Sequence, residues 1–172
     1  MDTGLSRALR FVLIICGALA ATSVIILILW LEGTFLPRWI VWDKECAGRI
    51  PEGVKAKLER SWLIQDELSF DIDGDGNKDE ILLVWKRGSY GKKRPSWVVS
   101  DEAGFSQHIF IYSLREDGWH PIWMSSKLPF EAASFEIGSE IPGTGRESLT
   151  IKAPDGSVTF WGWLSWGLEL LY

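Results

Sequence analysis

The sequence predicts a mainly β protein in which an N-terminal transmembrane helix precedes a small antiparallel β domain. Three observations carry this. Residues 11–31 are apolar apart from Thr22 and Ser23. From Leu63 onward short apolar runs alternate with Gly, Pro and Asp turn signals. Between them, residues 70–85 read FDIDGDGNKDEILLVW, an acidic, glycine-bearing loop that gives way abruptly to an apolar strand.

The apolar run comes first in the chain. At about 1.5 Å per residue a helix over 11–31 reaches across the roughly 30 Å hydrocarbon core. A cleaved signal peptide would end near Ala18-Leu19-Ala20, but the apolar character continues through VIILILWL, which favours an uncleaved anchor. Ile15 before Cys16 does not suit a lipoprotein signal. Arg7 and Arg10 precede the span and Glu32 follows it, so residues 1–10 are expected to be a cytoplasmic tail and the C-terminal part to lie outside the cell membrane. Arg38, Lys44 and Arg49 weaken that charge asymmetry, and the orientation rests equally on the loop described below.

Residues 32–62 read as a juxtamembrane linker. Trp30, Phe35, Trp39 and Trp42, with Arg38 and Lys44, match the aromatic and basic belt where a chain leaves the headgroups. Cys46 is the only cysteine beyond the span, which leaves no intrachain disulfide in the exported part. Val54, Leu58 and Trp62 fall at helical spacing and predict a two- to three-turn amphipathic helix.

The acidic loop is the centre of the chain's chemistry. Asp71, Asp73 and Asp75 stand at alternate positions, Asp79 follows, and Gly74 and Gly76 permit the partly left-handed backbone that turns carboxylates inward. Carboxylates this close repel one another unless a cation neutralises them. An EF-hand requires a bidentate Glu at loop position 12, between two helices. Counting from Asp71, that position is Leu82, within a β-rich apolar run, so the EF-hand is excluded. The pattern D-x-D-G-D-G-x-x-D before a buried strand instead resembles the calcium loops of FG-GAP and VCBS-type repeats, which occur in integrin-like β-propellers and bacterial surface proteins. That resemblance implies Ca2+ held by side-chain oxygens of Asp71, Asp73, Asp75 and Asp79 and by the backbone carbonyl of Asn77. It covers one loop and its neighbouring strands, so it speaks to fold more than to function.

Residues 63–172 are expected to form the β domain, with calcium loop 71–79 and later strands at 107–114, 119–125, 148–153, 157–163 and 166–171. Arg115-Glu116-Asp117-Gly118 and Pro154-Asp155-Gly156 supply hairpin turns. A faint echo of the loop region recurs at Phe135-Glu136-Ile137 and at 143–151, without the aspartates, and is expected to turn without a metal. Two further strands follow each copy, so the unit resembles a propeller blade used twice. Two blades cannot close a ring, which leaves a two-sheet sandwich, a partial propeller, or oligomerisation to protect the edges.

The insertion KRGSYGKKRPSW at 86–97 places Lys86, Arg87, Lys92, Lys93 and Arg94 with Tyr90 and Trp97 beside the acidic loop. Its chemistry matches an anionic surface polymer, a lipid headgroup or an acidic membrane or surface protein, and equally a solvated loop balancing nearby carboxylates. A net charge of −5 and the expected compartment argue against nucleic acid. Of the 11 tryptophans, Trp161, Trp163 and Trp166 are expected in core or edge packing. His108 and His120, the only 2 histidines, stand in no nucleophile or zinc spacing, and His120 before Pro121 reads as structural. These features describe a single-pass, calcium-stabilised β module for binding or assembly at the cell surface rather than an enzyme. The alternative from another class is a membrane-tethered hydrolase on surface polymers, using the loop's carboxylates or an open cation.

Overall fold

The computed structural model describes residues 3–31, 49–101 and 104–171, with side chains over 11–27 in the first segment. The chain forms two units, Met1–Arg38 and Trp39–Tyr172. The side chain of Trp30, and Phe35, Arg38, Trp39, Trp42, Lys44 and Cys46, lie outside the described residues.

The first unit holds helix α1, Thr3–Leu31, which is 29 residues long. Its described side chains, 11–27, are exposed and apolar except for Thr22 and Ser23. Those two hydroxyls donate back to Ala18 O and Leu19 O, both at 2.9 Å. Among the described residues no helix is long and apolar enough to cross a membrane. The segment with described side chains ends at Leu27, short of the predicted limit at Leu31.

The second unit contains two antiparallel four-stranded sheets. The first sheet takes β1 (Leu63–Phe70), β2 (Asp79–Arg87), β3 (Phe105–Arg115) and β4 (Gly118–Met124) in that order; the second takes β5 (Ser134–Ile141), β6 (Arg146–Lys152), β7 (Val158–Trp163) and β8 (Leu168–Leu170). Each is an up-and-down meander, and the expected echo is its first hairpin: residues 71–78 join β1 to β2 and 142–145 join β5 to β6.

The unbroken apolar run of β2 follows from burial on both faces. Ile81 and Leu83, with Ile109 and Ile111 of β3, meet Phe135, Leu149, Ile151, Trp163 and Leu168 of the second sheet. Leu82 and Val84, with Phe110 and Tyr112, turn to a second core on the opposite face. Each such side chain, fully removed from water, contributes about 1.5–3 kcal/mol.

That second core is closed by residues 50–62, which corrects the reading of this stretch as linker. Ile50, Val54 and Trp62 are buried there, and Trp62 meets the edge of Phe110 at 4.9 Å between ring centroids. The expected two- to three-turn helix is a single turn, α2 (Glu52–Lys55). Beyond it the bonds tighten to Lys57 N to Val54 O at 2.9 Å and Leu58 N to Lys55 O at 3.1 Å, so the chain leaves the α-helical path. The helical spacing of Val54, Leu58 and Trp62 arises from successive turns folding onto one sheet face. Gly53 lies so near Trp119 that a Cβ there would sit 2.7 Å from the indole.

The edges are blunted locally. β1 carries an irregularity between Ile64 and Asp66. There the buried Gln65 donates to Ala133 O at 2.6 Å and accepts from Trp85 Nε1 at 2.7 Å and Gln107 Nε2 at 2.6 Å, tying β1 to the connection that leads into β5. On the other edge, Pro121 of β4 offers no N–H for further pairing.

Candidate metal centre

The acidic loop begins where β1 ends and closes on the first residue of β2. Its glycines supply the conformation the turn needs: Gly74 and Gly76 have φ of 77° and 90°. The backbone is wrapped around the carboxylates. Asp71 Oδ1 accepts from Gly74 N at 2.7 Å and Asp75 N at 3.1 Å, and its Oδ2 accepts from Gly76 N at 2.8 Å. Asp73 Oδ1 accepts from Asp75 N at 3.1 Å, and Asp79 Oδ2 from Ile72 N at 3.1 Å.

Asp71, Asp73 and Asp79 each bring one carboxylate oxygen within 4.8 Å of the others. Asp71 and Asp73 are half-buried, whereas Asp79 is fully buried at the start of β2. Asp79 Oδ1 has no hydrogen-bond partner. Burial pushes the Asp79 carboxyl up to about 6, with the nearby charges of Asp73 and Asp75 adding to the rise. Ser113, its ladder partner on β3, draws the value back, yet its hydroxyl makes no bond of adequate geometry to Oδ1. Asp73 is also raised, by burial first and then by the charges of Asp75 and Asp71, against the opposing pull of the Asp75 N–H and of Arg146. A buried carboxylate with one oxygen unsatisfied, facing two more carboxylates, is an arrangement a cation completes. The donors are all oxygen, which suits a hard cation.

The remaining expected ligands lie outside this trio. Asp75 is exposed, and its Oδ1 accepts from Asn77 N at 2.7 Å, holding the turn. Asn77 is likewise exposed. Sequence reading missed Ser113 and Arg146. Ser113 comes close only through strand register, for which the local sequence has no signal. Arg146 opens β6, and its side chain lies against Gly74, where a Cβ would meet Nε at 2.8 Å. Its Nη1 donates to Trp163 O at 3.2 Å. The faint echo carried its signal, a basic residue in the counterpart of the acidic turn. Asp71, Gly74, Glu140, Gly145, Arg146 and Glu147 line a cleft of about 350 Å³ there.

The basic insertion divides into a tied base and an exposed tip. Lys86 is buried, its Nζ donating to Arg87 O at 2.8 Å and Tyr90 O at 2.7 Å, which removes it from the expected anionic contact. Burial also holds its ammonium below the usual lysine range. Arg87 is exposed and stacks over Phe105 at 5.2 Å. Lys92, Lys93 and Arg94 are exposed.

His108 is fully buried, with Nδ1 3.0 Å from Ser125 O and Nε2 2.9 Å from Ser106 Oγ, and burial lowers its pKa. His120 pairs with Asp117 at 2.8 Å near the surface. Trp161 and Trp163 pack as expected, but Trp166 is 77% exposed in the turn between β7 and β8, where the next residue, Gly167, lies close against Trp123. No protein-family model, curated protein or solved structure matches the chain.

Proposed function

We propose that this protein is a single-pass, membrane-anchored module whose extracytoplasmic β domain is stabilised by Ca2+ and serves binding or assembly at the cell surface, in the manner of FG-GAP and VCBS-type repeats. The observation that carries the reading is the clustering of the buried Asp79, one of whose oxygens is unpartnered, with Asp71 and Asp73. Oxygen-only donors favour Ca2+ over softer metals, and a loop with few buried ligands suits the roughly 0.1–1 mM affinity useful where calcium is abundant, outside the cell. The anchor is supported by the apolar sequence 11–31 and by the two hydroxyls of α1 that bond internally, as a helix in lipid requires.

Calcium titration of the full chain in detergent tests the site. Asp73→Asn keeps an acceptor for Asp75 N–H and removes a charge, so it should weaken calcium binding while leaving the loop folded. Equal calcium binding by wild type and Asp73→Asn would remove the site. Protease applied to intact cells should cleave the β domain; cleavage only after lysis would reverse the orientation.

A further inference from the structure

The basic insertion presents a feature that cation binding and the anchor leave unexplained. At its tip, Trp97 is 82% exposed and Val99 92% exposed. They are not loose ends. Val98 N donates to Pro95 O at 3.1 Å and Arg94 Nη1 to Val99 O at 2.7 Å, closing a small turn that holds Trp97 outward. The base is fixed by Gly88 N to Gly104 O at 3.1 Å, Ser89 N to Asp101 Oδ2 at 2.6 Å and Lys127 N to Ser89 O at 2.7 Å. Lys92, Lys93 and Arg94 stand exposed immediately before the apolar tip. No acidic residue falls within 86–97, although the whole chain carries −5.

We propose that the tip formed by residues 92–99 inserts Trp97 and Val99 into an anionic phospholipid bilayer while Lys92, Lys93 and Arg94 contact the headgroups. The inference deepens the proposed membrane placement and rests on that reading for the bilayer's proximity. The chemistry selects lipid over other anions. A polyanionic polymer would satisfy the cations but offers nothing to Val99, whereas a bilayer interface presents anionic groups above apolar chains, and an indole suits the boundary between them. A convex turn also needs no shaped groove, which a protein partner would have to supply. Charge draws the tip in, and the apolar pair holds it.

The test uses the full chain with Cys16→Ser, Cys46→Ser and Ser96→Cys, reconstituted into vesicles of phosphatidylcholine with or without phosphatidylserine. A membrane-impermeant, polarity-sensitive thiol dye then labels outward-facing tips. With phosphatidylserine, the emission should shift blue and be quenched by brominated acyl chains. Neutralising Lys92 and Lys93 to Gln, with Arg94 left to close the turn, should lower the inserted-to-solvated ratio roughly 25-fold, at about fivefold per cation. Trp97→Ser with Val99→Ser should abolish quenching without changing the melting temperature. Water-like emission in both lipids, or a blue shift produced only by added soluble polyanion or protein, would overturn the proposal. Alkaline extraction of the same vesicles reads the anchor separately. An extracted chain whose tip still shifts blue on anionic vesicles would sink the anchor and keep the tip; a retained chain with a solvated tip would do the reverse.

Discussion

Asp79→Asn should stabilise the β domain in chelator and keep a smaller advantage in calcium. Asp79 is fully buried, its carboxyl is pushed from 3.8 up to about 6, and one oxygen is unpartnered. At pH 7.5 without a cation the folded state therefore carries a carboxylate it disfavours by about 3 kcal/mol relative to the unfolded chain. Asparagine keeps an acceptor for Ile72 N–H and offers an amide toward the unpartnered Ser113 hydroxyl. Relieving most of that penalty should raise the melting temperature by roughly 10 °C. Calcium should raise wild type alone, because linkage at roughly 1 mM calcium and 0.1–1 mM affinity gives about 0.4–1.4 kcal/mol. The sign with pH follows from the raised value. The apo contribution is fully present below 3.8 and disappears as pH rises through about 6, so wild type in chelator should lose stability relative to the variant over that window. Calcium affinity should rise over the same window as the competing proton leaves. Melting curves in chelator and calcium from pH 4 to 8 measure all of this. If Asp79→Asn lowers stability equally in both media and wild type ignores calcium, the carboxylate is only a hydrogen-bond acceptor and the cation reading fails.

Three further outcomes are expected. Gly74→Ala should cost more than Gly76→Ala in thermal melts: both have positive φ, worth about 1–3 kcal/mol, but only at Gly74 does the new Cβ meet Arg146. Lys86→Ala should destabilise by about 1–3 kcal/mol, since two carbonyls lose their donor, while Lys92→Ala should stay within about 0.5 kcal/mol; equal effects by denaturant unfolding would contradict the buried placement of Lys86. His108 has a lowered pKa, so the stability it contributes is present above 6.5 and lost as pH falls; His108→Gln should flatten that acid limb of the pH–stability profile.

Legibility in the sequence followed how local the cause was. The loop could be read because its Asp and Gly spacing is itself the chemistry, and β2 because burial on both faces leaves no polar position from Ile81 to Trp85. The fates of Lys86 and Trp166 were hidden, since charge and aromaticity do not say which side of a fold a residue faces. Val54, Leu58 and Trp62 misled for a related reason: a chain turning repeatedly over one sheet face reproduces helical spacing without a helix. Ser113 required strand register, which is a property of two segments together.

The position of the loop explains why one cation there would matter to the whole domain. Asp79 is the first residue of the strand that separates the two cores, and its partner Ser113 lies on the other central strand of the same sheet. From the second sheet, Arg146 reaches Gly74 while its guanidinium bonds to Trp163 O, whose indole belongs to the shared core. A charge at Asp79 is therefore borne by β2 directly, while the guanidinium of Arg146 from the second sheet acts on Asp73, whose carboxyl it draws down. The counterpart turn, 142–145, has no such group and relies on Gly143 and Gly145 at φ of 78° and 69°. Of the two hairpins built on one plan, the first places a buried carboxylate, Asp79, at the root of its second strand, whereas the second places the exposed Glu147 there beside Arg146.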